Sequence, residues 1–425
     1  MSVSPAYAKY YQAYANEQIT KDWEIGLQCL HPSARDLDHG LELHAQSVVC
    51  DTYGFAPRSA PDGEALKRAI EAGASPEERA NLFESMLMTR AAEDATQRAE
   101  FEHAFRHSGV TCIFENAGEE CQGVRHVLKR LANFTWLIDR LPEVLRRAPV
   151  PEDISAAKAA NKHCLYLTCN AVPIAEQWQS ARDELAYIEY FFRLGCRMMH
   201  LTYNRRNMLG DGCAEPSNAG LSDFGRQAIA EMNRVGVIVD VAHCGQQTTL
   251  ETANASSQPV VASHSAVMQL NQHCRCKTDE VIRAIADSGG YIGICCVNAF
   301  LGRSGDIQAL LDHVDYVAKK FGTQHVTIGT DTAYSATNSA AEFEKAGPFP
   351  KQRPRFDSFW PPNDALFAPQ FPPERARTMA FTNWPLFTVG LVQRGYKDEQ
   401  IRQIIGGNML RVAEQVFRVA HPGLS

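Results

Sequence analysis

Residues 222–243 read SDFGRQAIAEMNRVGVIVDVAH and contain both halves of a repeating structural unit. Ser222 is a helix-capping residue type, and the apolar residues after it recur with the spacing of an amphipathic helix. Gly236 ends that helix, and the apolar run 237–242 is typical of a parallel strand that is buried on both faces. The stretch therefore predicts a helix followed by a strand, with His243 where the strand ends.

The same alternation of apolar runs and helix-like stretches extends along the chain in both directions. Continuous apolar strands separated by amphipathic helices indicate a parallel sheet covered by helices. Eight such units predict an α/β fold, a (β/α)8 barrel. The eight predicted strands are residues 47–50, 110–114, 163–169, 197–202, 237–242, 260–263, 291–297 and 325–330.

The length of the chain fits one large barrel with two additions. The chain has 425 residues, of which 45% are apolar and 21% are charged, so it can bury a sizeable core. We expect residues 1–46 to form an N-terminal helical extension and residues 47–425 to form the barrel. A Pro/Phe-rich insertion at about residues 335–378 is expected to be a flap over the barrel mouth, a subunit contact or a surface loop.

Charge and cysteine content restrict the partners and the compartment. The net charge of -7 argues against a nucleic acid or an anionic membrane as partner, and favours a small-molecule substrate. Neither a signal peptide nor an apolar run of ~18 residues is recognisable. The thirteen cysteines form no C-x-x-C pair. We therefore predict a cytoplasmic protein whose free thiols mostly pack in the core; a thiolate metal site or a redox pair is the less favoured alternative.

The polar residues at the strand ends are the candidates for chemistry, because a (β/α)8 barrel carries its active site at the C-terminal ends of its strands. Two histidines and an aspartate on one rim suit zinc, although a single histidine at a strand end is more often structural. A metal there would lower the pKa of a bound water. The residues at the predicted ends are Asp51, Tyr53, Glu115, Asn170, Tyr203, His243, His264, Asn298 and Asp331.

Five stretches of the chain resemble the membrane (renal) dipeptidase family, peptidase family M19. They read LTYNRRNMLGDGC from residue 201, AGLSDFGRQAIAEMNRVGVIVDVAHCG from 219, PVVASHSAVMQLNQHCR from 259, AIADSGGYIGI from 284 and GLVQRGYKDEQIRQIIGGNMLRV from 390. The resemblance implies a TIM barrel of the metal-dependent hydrolase (amidohydrolase-like) type. It also implies a homodimer that removes one residue from a dipeptide at a two-zinc centre.

Half of the implied site is retained. The resemblance assigns His243 and His264 to the second zinc and Asp331 to the attacking water. It assigns Arg275 to the carboxylate of the substrate, which a guanidinium suits well.

The other half departs from the family pattern. Tyr53 and Phe55 stand where the family has the histidine and the aspartate of the first zinc, and Asn170 stands in place of the glutamate that bridges both zincs. Tyr203 replaces a substrate-binding histidine. A neutral amide does not supply the bridging charge that holds two dications ~3.5–4 Å apart. We therefore expect Tyr53, Asn170 and Tyr203 to bind substrate rather than metal.

These residues predict a hydrolase of a dipeptide or small amide that bears a carboxylate. Zinc, with one ion at most or none, would be held by His243 and His264, with Asp331 as the base. Without metal, the same three residues would act as acids and bases. The alternatives are a non-peptidase enzyme (a lyase, an isomerase or another hydrolase of a specialised pathway) and a non-catalytic homologue. Asp51 or Glu115 pointing into the mouth would restore a first-metal ligand.

Overall fold

Eight parallel strands form a nearly closed barrel in a computed structural model that describes residues 4–118, 123–347, 356–368 and 370–423. The barrel order is β1-β2-β4-β5-β6-β7-β9-β10, while β3 pairs with β4 and β8 pairs with β7 outside this path. Hydrogen bonds just beyond β10 join its end to β1, because the amide of Asp331 donates to the carbonyl of Tyr53 at 2.9 Å. The predicted (β/α)8 barrel is confirmed. The strands are β1 (Cys50–Gly54), β2 (Cys112–Asn116), β3 (Leu145–Arg147), β4 (His163–Cys169), β5 (Cys196–His200), β6 (Ile238–Asp240), β7 (Val260–Val267), β8 (Cys276–Lys277), β9 (Ile292–Ile294) and β10 (Val326–Ile328).

Helices surround the barrel and precede it in the chain. The α-helices of the described residues are Pro5–Tyr10, Glu17–Leu30, Ala34–Gln46, Gly63–Glu71, Pro76–Thr89, Ala95–Ser108, Val124–Arg140, Glu152–Ala159, Ala181–Arg193, Asp223–Val235, Gln246–Ala255, Asp279–Asp287, Asn298–Leu301, Ile307–Phe321, Ser339–Lys345, Pro373–Arg377, Trp384–Gln393, Asp398–Arg402 and Asn408–Ala420.

The helix Asp223–Val235 begins and ends where its sequence predicts. The hydroxyl of Ser222 accepts a hydrogen bond from the amide of Gly225, which satisfies a free donor of the first turn. Gly236 has a φ of 91°, a left-handed conformation that glycine adopts without a steric penalty. The left-handed turn at Gly236 lets the chain leave the helix and enter β6 at Ile238, two residues later.

The first strand lies later than its sequence predicts. We predicted a strand at residues 47–50, whereas β1 is Cys50–Gly54. The reason is that Ser47 still belongs to the preceding helix end: its hydroxyl donates to the carbonyl of Leu43 at 2.6 Å. Asp51 and Tyr53 consequently lie within the strand. The short strands β3 and β8 were not predicted, because two or three residues are too few to show a periodicity.

Two glycines allow the end of the barrel core to close tightly below the mouth. The hydroxyl of Thr52 donates to the carbonyl of Ser263 at 2.8 Å inside the barrel. A Cβ atom on Gly293 would lie 1.9 Å from that same carbonyl oxygen, and one on Gly329 would lie 2.1 Å from it. The packing of β1, β7, β9 and β10 in this layer therefore depends on the missing side chains.

The cysteines pack mainly as core residues. All twelve described cysteines have free thiols, and nine of them are buried, which confirms the prediction of small core hydrophobes. In the described part of the chain, no helix combines the length and the hydrophobicity that crossing a membrane requires.

We expect Gly293→Ala to destabilise the fold, because the new methyl group would overlap the backbone oxygen of Ser263 rather than a mobile side chain. The free energy of unfolding should fall by about 1–3 kcal/mol, as for other overpacked cores. Urea unfolding followed by circular dichroism measures it. Gly423→Ala is the control, since a Cβ there meets nothing within 4 Å. Equal unfolding midpoints for the two variants would contradict this account of the barrel layer.

Candidate active site

A cavity of about 560 Å³ lies at the C-terminal ends of the barrel strands. His264 lies immediately behind its wall and is fully buried. The structure thus brings all seven predicted site residues to one place. Six of them line the cavity: Tyr53, Asn170, Tyr203, His243, Arg275 and Asp331.

His243 and His264 face each other, and their Nε2 atoms lie within hydrogen-bond distance at 2.9 Å. The opposite ring nitrogens are held in place, since Nδ1 of His243 donates to Oδ1 of Asn204 at 2.8 Å and Nδ1 of His264 hydrogen-bonds to Ser263 at 2.8 Å. Burial, followed by the charge of Arg275, holds the pKa of both rings well below the usual range. Both imidazoles are therefore neutral, which is the form that binds metals.

Arg275 is fully buried beside this pair. Its Nη2 donates to the carbonyl of His264 at 3.0 Å and to Nε2 of His243 at 3.2 Å, and its Nη1 donates to the carbonyl of Ala242. Its Nε finds no hydrogen-bond partner in the part of the chain that the structure describes. Within those residues, no carboxylate forms a close ion pair with Arg275, although Asp331 on the same cavity wall is near enough for its charge to act on the guanidinium.

Two tyrosines hold the histidine rings between aromatic faces. The ring of Tyr53 stacks on His264 with centroids 3.8 Å apart, and the ring of Tyr203 stacks on His243 at 4.1 Å. The hydroxyl of Tyr53 donates to Oδ1 of Asn170 at 2.6 Å. The residues at the first-metal and bridging positions thus bond to each other, and Phe55 offers no donor atom. This set does not fit a first zinc, whereas His243 and His264 fit one metal.

Asp331 occupies a strained backbone position at the mouth. Its φ is 56°, in the left-handed region that few residues other than glycine adopt. Asn204, the partner of His243, has a φ of 49°. Such conformations cost free energy and cluster at functional sites, where the side chain is needed and glycine cannot replace it.

His200 and Asp240 belong to the same cluster and were missed by the sequence reasoning. Both are fully buried, at the ends of β5 and β6, and Nε2 of His200 lies 2.5 Å from Oδ2 of Asp240. Burial alone would raise the pKa of Asp240, but the His200 ring and hydrogen bonds from Ser263 and Ala242 outweigh it and lower the pKa. The available signal was a charged residue inside the apolar run VIVDVA, which we treated only as strand.

Asp51 and Glu115, the alternative first-metal ligands, do not line the mouth cavity. Asp51 accepts hydrogen bonds from the amide of Thr330 at 2.8 Å and from the indole of Trp384 at 3.3 Å. Glu115 accepts from the amide of Ala56. Burial raises the pKa of Asp51 to about 7 and that of Glu115 to about 8. Asp51 therefore serves the ends of the barrel strands, while Glu115 lines a second cavity on the side of β1 and β2 rather than the mouth.

Part of the Pro/Phe-rich insertion covers the mouth. Arg205 donates through Nε to the carbonyl of Ser358 at 3.2 Å, and Nε2 of His273 lies 3.1 Å from Oδ1 of Asp364. Residues 348–355 and 369 of the insertion lie outside the described residues. The insertion contributes four apolar residues to the cavity wall: Phe356, Trp360, Leu366 and Phe367.

A second cavity of about 700 Å³ adjoins the first on the side of β1 and β2. The two share a wall made of Phe55, Arg58, Asn116 and Arg130. The guanidinium of Arg58 lies 4.8 Å from the centre of the Phe55 ring. Two arginines thus stand at the wall between the cavities, and Arg130 is paired there with Glu84.

A nearly closed parallel barrel with histidines and carboxylates at the C-terminal ends of its strands is typical of (β/α)8 enzymes. The model of the membrane dipeptidase family (peptidase family M19) matches residues 79–351. The chain belongs to this family, as its motifs predicted.

Relatives and a solved structure agree with this assignment. The chain is 25% identical to a dipeptidase named tcpJ from Claviceps purpurea (strain 20.1) over 258 residues, which are 59% of this chain and 52% of that protein. It is 28% identical to a dipeptidase named verJ from Clonostachys rogersoniana over 232 residues, 54% of this chain and 50% of that protein. The chain thus spans about half the length of these relatives. The structure of an amidohydrolase from Pseudomonas aeruginosa superimposes with a TM-score of 0.64 at 25% identity, covering 89% of this chain and 99% of that chain.

Glu115 should make stability depend on pH. Its carboxyl group keeps its proton up to about pH 8 in the fold, but releases it near its ordinary pKa of 4.5 when unfolded. Wild-type stability therefore falls as the pH rises through this window. Glu115→Gln cannot ionise, so its stability relative to wild type should rise by roughly 1 kcal/mol or more between pH 5 and pH 8. Urea unfolding at both values measures this.

The exposed Glu374→Gln serves as the control for Glu115→Gln and should show no such trend. A relative stability of Glu115→Gln that is constant between the two pH values would mean that Glu115 is ionised in the fold.

Proposed function

We propose that this protein is a hydrolase of the membrane dipeptidase type that cleaves a dipeptide or a small amide bearing a carboxylate. It uses at most one divalent metal, zinc, with His243 and His264 as ligands. Membership of the M19 family supports hydrolysis, and the loss of donors at Tyr53, Phe55 and Asn170 supports a single metal.

The observation that carries the proposal is the buried charge of Arg275. A fully buried guanidinium without a protein carboxylate is costly unless a ligand supplies the anion. Its Nε finds no partner among the described residues, so this donor is available to a carboxylate oxygen of a ligand.

The remaining residues arrange the bond to be cleaved. Asp331 on the cavity wall is the base that takes a proton from water, and its strained backbone keeps the carboxylate at the mouth. A bound zinc would supply a Lewis acid that polarises the amide carbonyl and acidifies water. Tyr203 and the Tyr53–Asn170 pair orient the substrate, and the aromatic flap excludes bulk water. A cavity of about 560 Å³ is within the ordinary size range for small ligands.

A second candidate function is non-peptidase chemistry on a similar carboxylate-bearing substrate. It is favoured by one observation: the hydroxyl of Tyr53 donates to Asn170, at 2.6 Å, where the family places charged metal ligands. A lyase or isomerase would release no free amino acid. Analysis of the products of turnover by mass spectrometry distinguishes the two candidates.

We also propose that the protein is a cytoplasmic homodimer and that it binds a small-molecule substrate. Twelve free thiols support a reducing compartment, and the acidic net charge does not favour nucleic acids or anionic membranes.

Asp331→Asn should abolish most of the turnover without weakening substrate binding. An amide cannot take the proton of the attacking water, and a positioned base contributes at least ~100-fold to kcat. The measurement is dipeptide hydrolysis by the zinc-loaded protein, with kcat and KM separated. Asp287→Asn is the matched control, because Asp287 is exposed at the end of the helix Asp279–Asp287 and does not line the mouth cavity. Full activity of Asp331→Asn would remove Asp331 from the mechanism.

Arg275→Lys should weaken recognition of the substrate carboxylate specifically. A lysine ammonium lacks the Nε donor and the planar guanidinium group of arginine, so KM for a dipeptide should rise by roughly tenfold or more. The corresponding dipeptide with a C-terminal amide has no carboxylate for Arg275 to bind. We therefore expect a high KM for it with wild type, and nearly the same KM with Arg275→Lys. Equal effects on both substrates would show that Arg275 only supports the fold of the mouth.

A further inference from the structure

Arg58 stands on the wall that the two cavities share, and its guanidinium has no close anionic partner. In the described part of the chain this group forms neither a hydrogen bond nor an ion pair, and it lies against the ring of Phe55. The backbone of Arg58 is fixed, because its amide donates to the carbonyl of Tyr334 at 2.8 Å and its carbonyl accepts from the amide of Ala336 at 3.0 Å. The donors of the guanidinium are therefore held at the mouth and are available to a ligand.

The charged neighbours of Arg58 offset only part of its positive charge. Arg130, on the same wall, is paired with Glu84. Burial raises the pKa of Glu115 to about 8, so this carboxyl group is largely neutral at pH 7. Asp331 acts on the guanidinium through space but makes no close ion pair with it. Burial lowers the pKa of Arg58, yet a guanidinium stays protonated at any physiological pH.

The strand order places Asp331 between Arg58 and Arg275 along the rim of the barrel. Arg58 follows β1, whereas Arg275 directly precedes β8, which pairs with β7. Two strands, β9 and β10, separate β7 from β1, and Asp331 follows β10. The charge of Asp331 acts on both guanidinium groups. A ligand that reaches along the cavity wall from Arg275 to Arg58 therefore passes the carboxylate that is the proposed base.

This arrangement has a consequence for the shape of a bound dipeptide. The peptide bond precedes the residue that bears the terminal carboxylate, so the side chain of the amino-terminal residue lies beyond that bond. With the carboxylate on Arg275 and the peptide bond beside Asp331, that side chain extends toward Arg58. A carboxylate at its end would supply the missing anion in the planar geometry that arginine favours.

We propose that Arg58 is a specificity-determining residue that binds an acidic side chain on the amino-terminal residue of the substrate. The substrate class is then a dicarboxylate, namely a dipeptide or similar amide with one carboxylate on Arg275 and a second on Arg58. The inference rests on the proposed function, because it takes the roles of Arg275 and Asp331 from it, and it adds the charge of the substrate. A neutral side chain at this point would leave the guanidinium without an anion.

Two dipeptides that differ by one charge test this role of Arg58. The values of kcat/KM are measured for α-linked glutamyl-alanine and glutaminyl-alanine with the full-length, zinc-loaded protein. Wild type should favour glutamyl-alanine by at least ~10-fold, because a hydrogen bond between charged groups adds roughly that much to binding. Arg58→Gln should reduce this preference to within ~2-fold by raising KM for glutamyl-alanine alone, and Arg58→Lys should retain part of it.

The ratio compares two substrates of one protein sample, so it does not depend on how much of a variant is folded. Arg68→Gln is the matched control, because it removes the same charge from an exposed arginine of the helix Gly63–Glu71 that lines neither cavity. This control should keep the wild-type ratio. A wild-type ratio near one would overturn the proposal, as would an unchanged ratio in Arg58→Gln.

Binding separates this proposal from the proposed function. Asp331→Asn, which should bind without turnover, is titrated with both dipeptides by calorimetry, alone and in combination with Arg58→Gln. Tighter binding of glutamyl-alanine that is lost in the double variant would support the role of Arg58 even if wild type hydrolysed neither dipeptide, a result that would overturn only the proposed function. Equal dissociation constants for the two dipeptides would overturn the role of Arg58 even if both were hydrolysed.

Discussion

A buried guanidinium without a carboxylate partner is the constraint on which the barrel mouth depends. Arg275 is fixed by the carbonyls of Ala242 and His264, so its charge cannot move to solvent. This charge contributes to keeping His243 and His264 neutral and so leaves their ring nitrogens able to accept hydrogen bonds or metal ions. Asp331 on the same cavity wall offsets part of this charge, and the proposed substrate carboxylate would supply a second, closer anion.

Aromatic packing surrounds the histidines at the mouth. Tyr53 stacks on His264 and donates a hydrogen bond to Asn170, so these two strand ends are joined to each other.

Much of this arrangement follows from sequence, since the eight strands, the Ser222 cap and the retained motif residues all depend on local signals. The identity of the residues that face the barrel axis does not. His200 and Asp240 look like strand residues in the sequence, and only the register of β5, β6 and β7 shows that they meet. Asp51 and Glu115 show the reverse: their type fits a metal site, but hydrogen bonds to neighbouring backbone hold them away from the cavity. The start of β1 was misplaced because Ser47 completes a helix end through its side chain, a contact that no periodicity reveals.

The insertion illustrates a further limit of sequence reasoning. Its composition is compatible with a flap, a subunit contact or a surface loop. Only contacts between residues far apart in the sequence distinguish these alternatives. Arg205 and His273, both far away in sequence, attach it to the barrel rim. The described part therefore belongs to the wall of the cavity.

The most direct test of the central claim is a crystal structure of the protein with a non-hydrolysable dipeptide analogue. The account predicts that the carboxylate of the analogue lies within hydrogen-bond distance of Arg275, in the cavity lined by His243 and Asp331. A carboxylate bound instead to Arg58 or Arg130, at the wall shared with the second cavity, and not to Arg275 would contradict it.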